Sequence, residues 1–148
     1  MSVLTGSWKG SGREVSAQIG GKVMFHKGES VEDYLETILR LSRTLPVVRS
    51  IDIVHDTGYT KPSVSVAMKN LRQKEYIVMD GSGYITLTEE GRCIAEATFE
   101  RHQVITRLFT SLGVPDDVAA EDACKVEHVL SEETFAALKN HLERHREQ

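Results

Sequence analysis

The chain has 148 residues, of which 40% are hydrophobic, and a formal net charge of −4. This length allows one domain with a buried core or two small ones, and no apolar run approaches the roughly 20 residues of a membrane-spanning helix. The composition therefore excludes a membrane protein. The two cysteines, Cys93 and Cys124, are not closely spaced, which indicates free thiols in a reducing cytoplasm rather than a disulfide framework.

The charge is unevenly distributed along the chain, with one net basic segment and one net acidic segment. Residues 40–76 contain seven basic and three acidic side chains, whereas residues 89–133 contain four basic and eleven acidic ones. A locally basic segment suits a phosphate backbone, and a locally acidic one suits cations. Solvated charged surfaces produce the same contrast, so the pattern supports these two functions without assigning either.

Residues 1–23 are rich in glycine and serine and show little hydrophobic periodicity, which predicts a flexible N-terminal tail. The tail has no apolar stretch of signal-peptide length, so we do not expect export. Met24 is an alternative natural start, and whether residues 1–23 are native stays open.

Three helices are predicted after the tail. Ser30 is a good N-cap for the first helix, which ends before Pro46. A second, short helix closes in a left-handed cap at Gly58. The third runs from Pro62 to Gln73 and has Thr60 as its N-cap, with the proline in its first turn.

The hydrophobic period then changes from 3.6 to 2. Residues 76–79 and 84–87 alternate in hydrophobicity around Asp80-Gly81-Ser82-Gly83, which is typical of a β-hairpin. Three more helices are predicted, a long one from about Glu89 to Leu112, a short acidic one from Val118 to about Leu130 and a last one from Phe135 to about Arg146.

The predicted elements follow in the order helix, short helix, turn, helix and hairpin. This order is the winged helix-turn-helix arrangement, with residues 62–73 as the recognition helix. The predicted fold class is therefore mainly α with a small β-hairpin wing. The candidate DNA contacts are Thr60, Lys61, Pro62, Ser63, Ser65, Val66 and Lys69. The first turn lacks Arg, Asn and Gln, so direct guanine or adenine readout is expected to be sparse, while Val66 suits a thymine methyl. A helical protein with an incidental hairpin is the alternative.

Two clusters of metal-ligand chemistry bracket this unit. Cys124, Glu127 and His128 have the i, i+3, i+4 spacing that brings side chains to one side of a helix, so we expect them to converge on one point. Asp33 and Glu36 share a face of the first helix. A buried thiol beside solvated charge, and acids that serve the helix dipole, are the alternative interpretations. Together the clusters suggest a switch rather than an enzyme.

From about residue 30 to residue 142 the chain resembles the metal-dependent repressors of the diphtheria-toxin-repressor and manganese-transport-regulator family. The resembling stretches follow the family order: Ser30-Val31-Glu32-Asp33-Tyr34-Leu35-Glu36, Lys61-Pro62-Ser63-Val64-Ser65, Leu87-Thr88-Glu89-Glu90-Gly91, Arg101-His102 and Cys124-Lys125-Val126-Glu127-His128-Val129-Leu130-Ser131. The resemblance implies a winged helix-turn-helix DNA-binding domain, for which we take residues 24–95, followed by a helical metal-binding and dimerisation domain, residues 96–148.

The resemblance also implies a function, namely a cytoplasmic repressor that controls metal homeostasis and acts on no small-molecule substrate. Loaded with Fe²⁺ or Mn²⁺, it would bind a palindromic operator in double-stranded DNA as a homodimer. The implied metal ligands are Asp33, Glu36, His102, Cys124, Glu127 and His128. The expected dimer interface is built near Leu108, Phe109 and Leu112.

The sequence departs from both branches of that family. Manganese-responsive members usually have a carboxylate where Cys124 stands, and iron-responsive members have a methionine where Asp33 stands. Thr106 and Ala120 occupy two positions that complete the iron branch's second metal site, so that site is not expected in its usual form. Hard carboxylates suit Mn²⁺ and a thiolate suits softer ions, so the choice between Fe²⁺ and Mn²⁺ stays open, as does the number of metals.

Two functions of other classes compete with this one. A winged-helix protein-interaction module could store metal or hold it structurally, although Lys61, Lys69 and Arg72 on the recognition helix favour DNA. A metalloenzyme could use such ligands to activate water, but no separate general base stands out.

Overall fold

The computed structural model describes residues 30–146. The predicted tail, residues 1–23, lies outside the described residues. The elements in chain order are α1 (Val31–Thr44), α2 (Ser50–Thr57), α3 (Lys61–Gln73), β1 (Ile77–Met79), β2 (Ile85–Leu87), α4 (Glu89–Ser111), α5 (Asp116–Val126) and α6 (Glu132–Arg144). The predicted fold class, mainly α with a β-hairpin, is confirmed.

Hydroxyl side chains define where four of the helices begin. Ser30 Oγ accepts a hydrogen bond from the Asp33 amide at 3.1 Å. The caps of α3, α4 and α6 are Thr60, Thr88 and Ser131, each accepting from the amide three residues on. Because each bond satisfies an amide that has no partner within the helix, the caps fix the starting residues.

The hydrophobic core lies between α1, α2, α3, the hairpin and the first part of α4. The helix α1 packs against α2, β2 and α4, so it is buried on nearly all sides. The fully buried apolar residues of this core include Leu35, Ile38, Leu39, Ile53, Val64, Met68 and Leu71. This core fixes α1 relative to the recognition helix α3.

The wing is an antiparallel pair in which Val78 stands opposite Thr86. Asp80 Oδ1 accepts hydrogen bonds from the amides of Ser82 and Tyr84, and Gly83 adopts φ 79°. The chain before α2 extends the ladder, because the Val48 carbonyl accepts from the Ile85 amide at 2.8 Å. The hairpin is thereby attached to the start of the helix-turn-helix.

The helix α4 connects the wing to the rest of the chain and packs against α1, α5 and α6. Ala119 and Ala123 of α5 are both fully buried, and their small side chains let α5 lie close to α4. No described helix combines the length and the apolarity needed to cross a membrane. The predicted domain boundary at residue 95 stays a prediction.

The start of α4 requires a glycine. A Cβ on Gly91 would lie 2.0 Å from the Tyr76 carbonyl oxygen, which also accepts the amide hydrogen bond of Thr88. We expect Gly91→Ala to lower the free energy of unfolding by at least about 2 kcal/mol, because backbone must move to admit the methyl group. Urea denaturation measures this effect. Gly81→Ala is the matched control, since a Cβ on Gly81 has nothing within 4 Å. Equal stability of the two variants would contradict the prediction.

Candidate metal centre

The first helix carries two carboxylates that are withdrawn from solvent. Asp33 is 3% exposed and Glu36 is 7% exposed. An acid in the first turn suits the helix dipole, but such an acid is ordinarily solvated. Burial of a charged carboxylate is unfavourable unless groups of opposite charge or hydrogen-bond donors lie beside it. The positions of these two side chains therefore need an explanation from the elements packed on α1.

One packed segment is the turn that follows α5. The helix ends at Val126, and residues 127–129 form a turn closed by the hydrogen bond from the Val129 amide to the Val126 carbonyl at 3.0 Å. The prediction of a helix to Leu130 is wrong at this end. Arg101 Nη1 donates to the carbonyls of Glu127 (2.8 Å) and Leu130 (3.1 Å). In a continuing helix, backbone amides further along the chain would donate to these carbonyls instead.

The first group of metal-ligand side chains joins α4 to the end of α5. His102 Nδ1 lies 3.1 Å from Glu127 Oε2 and 3.5 Å from Cys124 Sγ. The ligand atoms of this group all lie within 4.8 Å of one another, and they belong to an imidazole, a thiol and a carboxylate. This spacing suits one divalent transition-metal ion.

The second group joins α1 to the turn after α5. His128 Nε2 lies 2.8 Å from Asp33 Oδ1 and 3.2 Å from Glu127 Oε1. Their ligand atoms also lie within 4.8 Å of one another. Glu127 therefore belongs to both groups, with one carboxylate oxygen facing each. Its side chain is 0% exposed, and Oε1 has no hydrogen-bond partner among the described residues.

The expectation that Cys124, Glu127 and His128 converge on one point is wrong. Cys124 and His128 belong to different groups, because the helix ends before His128 and the backbone turns the imidazole toward α1. Among residues 30–146, Glu36 is in neither group. It does lie near Arg40, whose pKa is raised chiefly by the hydrogen bond to Asp56 and further by the charges of Glu36 and Cys124.

The pKa values of both imidazoles are raised in this arrangement. Hydrogen bonds to Cys124 and Glu127 raise the pKa of His102 to about 10. Burial disfavours the charged form of His128, but the hydrogen bond to Glu32 and the charges of Asp33 and Glu127 outweigh it and raise its pKa. The buried carboxylates therefore favour a positive charge at both rings.

Two residues at the centre were missed by sequence reasoning. Glu32, to which the sequence assigned no role at the metal site, has Oε2 2.9 Å from His128 Nδ1. Arg101, besides its two carbonyl bonds, pairs with Glu132 and stacks 5.0 Å from the ring centre of Phe135. Neither contact has a signal in local spacing, since each joins residues on different elements.

The predicted DNA contacts form one surface. Lys61, Pro62, Ser65 and Lys69 are exposed, and Val66 is 61% exposed although it is apolar. Thr60 and Ser63 also reach this surface, but their hydroxyls hydrogen-bond each other at 3.0 Å as part of the cap. The opposite side of α3 is the buried stripe of Val64, Met68 and Leu71.

The predicted dimer residues lie at the far end of α4. Leu108 and Phe109 are half-buried, and Leu112 is 72% exposed. Val118, at the start of the neighbouring α5, is 44% exposed. Apolar exposure of this kind suits a contact with another protein surface.

The two halves of the chain match two family models. Residues 26–83 match the iron-dependent repressor N-terminal DNA-binding domain, and residues 88–148 match the iron-dependent repressor metal-binding and dimerisation domain. The transcriptional regulator MntR of Escherichia coli O6:H1 is 33% identical over 120 residues, which are 81% of this chain and 77% of that protein. The chain belongs to the iron-dependent repressor family. It is thus a metal-dependent, DNA-binding transcriptional repressor with a dimerisation domain, not an enzyme, as the sequence predicted.

Other members resemble this repressor over part of their length. The diphtheria toxin repressor of Corynebacterium jeikeium is 28% identical over 112 residues, which are 74% of this chain and 46% of that protein. The structure of the manganese regulator SloR superposes with a TM-score of 0.68 at 26% identity and covers 76% of this chain and 53% of that one. The chain therefore spans about half the length of these two proteins. Iron or manganese as the regulatory metal is confirmed at the level of the family.

The raised pKa values predict that metal and protons compete at this centre. A pKa of about 10 leaves His102 protonated at neutral pH, so its proton must leave before the nitrogen can bind a metal. We expect Mn²⁺ affinity to rise as pH is raised from about 6.5 to about 8.5, with protons released on binding. Isothermal titration calorimetry in buffers of different ionisation enthalpy measures both quantities. Affinity that does not change with pH would contradict the assignment of these imidazoles.

Proposed function

We propose that this repressor binds Fe²⁺ or Mn²⁺ between its two halves and thereby gains affinity for a palindromic operator. The proposed ligands are Asp33, Glu36, His102, Cys124, Glu127 and His128. The observation that carries the proposal is the contact of Asp33, on the first helix of the DNA-reading unit, with His128 and Glu127 after α5. We further propose that it acts in the cytoplasm and regulates metal homeostasis.

The coupling follows from where α1 sits. Leu35 and Ile38 of α1 are fully buried in the core that carries the recognition helix. Asp33, on the same helix, contacts His128 of the metal-binding half. A divalent cation bound here would supply positive charge to Asp33 and Glu127, which belong to different halves of the chain. If metal and DNA both bind more tightly to the same arrangement of the two halves, each increases the affinity for the other. Thermodynamic linkage makes the two increases equal.

The exposed surface of α3 is the proposed reading surface. Lys61 and Lys69 supply charge for phosphates, and Ser65 supplies a hydroxyl. The exposed methyls of Val66 suit contact with thymine in the major groove. A dimer formed through Leu108, Phe109 and Leu112 would place two such helices about 34 Å apart, one turn of DNA.

The mixed donor set bears on metal choice. Asp33, Glu36 and Glu127 are hard carboxylates, which favour Mn²⁺, whereas Cys124 offers a thiolate, which favours Fe²⁺ over Mn²⁺. Because Cys124 and His102 lie on one side of Glu127 and Asp33 and His128 on the other, one or two ions per subunit are both compatible with the donors. We propose that Cys124 is the residue that sets the preference.

Loss of either central ligand is expected to abolish metal-stimulated operator binding. The probe is a palindromic duplex selected from a random library with Mn²⁺ present, and binding is measured by gel shift over a Mn²⁺ titration. We expect Glu127→Gln and His128→Ala to lose at least about tenfold in Mn²⁺-stimulated affinity for the duplex. The first variant loses the charge of a metal ligand on the C-terminal half, and the second loses the ligand itself.

His141→Ala is the control, since His141 is an exposed histidine of α6 that stacks with His145 and belongs to neither ligand group among the described residues. Binding of either ligand variant that matched the unsubstituted chain at every Mn²⁺ concentration would refute the ligand assignment. A chain that binds metal but no duplex at all would instead support the protein-interaction module.

Replacement of the thiol is expected to change metal preference. In Cys124→Glu a hard oxygen replaces sulfur, so the ratio of Fe²⁺ to Mn²⁺ affinity should fall, on the order of tenfold. Anaerobic competition titrations of both ions measure the ratio. Cys93→Ser is the matched control, because Cys93 is exposed and remote from both groups in the described part of the chain. If the order of affinities does not move in Cys124→Glu, the thiolate does not set selectivity.

A further inference from the structure

Glu32 makes a contact that its helical position does not require. It stands in the first turn of α1, where any acid gains from the helix dipole. Its side chain is 52% exposed, yet Oε2 lies 2.9 Å from Nδ1 of His128, a residue 96 positions away in the chain. The carboxylate thus spans the junction between α1 and the turn after α5.

The other nitrogen of the same imidazole faces the metal-ligand group. Nε2 of His128 lies 2.8 Å from Asp33 Oδ1 and 3.2 Å from Glu127 Oε1. A carboxylate only accepts hydrogen bonds, so Nδ1 donates to Glu32 and, by the same rule, Nε2 donates to Asp33 in this structure. Asp33 and Glu127 are themselves proposed ligands, so a cation bound between them would take the place of the proton on Nε2 and leave the proton on Nδ1 with Glu32.

We propose that Glu32 is a positioning residue for metal binding, which fixes the ring of His128 so that Nε2 is the atom available to a divalent cation. A hydrogen bond from the remote nitrogen to a carboxylate orients a ligating histidine, selects its tautomer and raises its basicity. The inference rests on the proposed function, in which His128 is a ligand. It gives α1 two adjacent roles, a ligand at Asp33 and an orienting group at Glu32.

A purely structural role for Glu32 predicts something different. If the acid served only the dipole of α1, its loss would slightly lower the stability of the helix and leave the imidazole of His128 unaffected. The same loss would follow at Glu89, an exposed acid in the first turn of α4. Glu89→Ala is therefore the matched control for Glu32→Ala.

The test measures metal affinity and the imidazole itself. Mn²⁺ dissociation constants are determined by electron paramagnetic resonance for Glu32→Ala, Glu32→Gln and Glu89→Ala. We expect a loss of about tenfold or more for Glu32→Ala and no change for Glu89→Ala. Glu32→Gln should recover part of the loss, because the amide oxygen can accept the same hydrogen bond without the charge.

The spectroscopic signature separates positioning from general electrostatics. Long-range ¹H–¹⁵N spectra of the Zn²⁺-loaded protein should show Nδ1 of His128 protonated and Nε2 metal-bound, with this single pattern lost in Glu32→Ala. Metal bound through Nδ1 in the unsubstituted chain would overturn the inference. So would Mn²⁺ affinity in Glu32→Ala equal to that of Glu89→Ala.

A further variant separates this inference from the proposed function. If His128→Ala loses Mn²⁺ binding while Glu32→Ala does not, the ligand assignment stands and only the positioning role of Glu32 is refuted. If His128→Ala binds Mn²⁺ as the unsubstituted chain does, the proposed function itself is refuted, and the inference falls with it.

Discussion

The arrangement of this protein depends on the buried carboxylate of Glu127. Its side chain is completely withdrawn from solvent, and an isolated charge in such a place would be unfavourable by several kcal/mol. His102 Nδ1 lies 3.1 Å from one of its oxygens and His128 Nε2 lies 3.2 Å from the other, and the pKa values of both rings are raised. One histidine comes from α4 and the other reaches α1 through Asp33. The requirement to balance one charge therefore joins three segments of the chain.

The contact of α1 with the turn after α5 is important because α1 packs against both halves of the chain. Its apolar side, with Leu35 and Ile38, is part of the core that holds the recognition helix. Two of its carboxylates, Glu32 and Asp33, contact His128 of the metal-binding half. Arg101 holds the turn that carries Glu127 and ties it to the start of α6 through Glu132. A change of charge at the centre therefore acts on rigid elements leading both to the DNA-reading surface and to the proposed dimer surface.

Most of the fold could be predicted because its signals are local. Hydroxyl N-caps at Ser30 and Thr60 begin helices where the sequence predicts them, and the hairpin forms around its turn residues. These signals depend on neighbours within four residues, so no tertiary information is needed to recognise them. The end of α5 was predicted four residues too late, because Arg101, 26 positions away from Glu127, takes the carbonyls there.

The sequence by itself determined the kinds of ligand present and, through the resemblance, which side chains to consider. Only the tertiary structure decided how they combine. It divides Cys124 and His128 between two groups that share Glu127, leaves Glu36 outside both among the described residues, and brings in Glu32. Helical periodicity relates side chains within a turn or two, whereas these groupings depend on how α1, α4 and the turn after α5 pack. Packing between distant segments is the information that spacing does not contain.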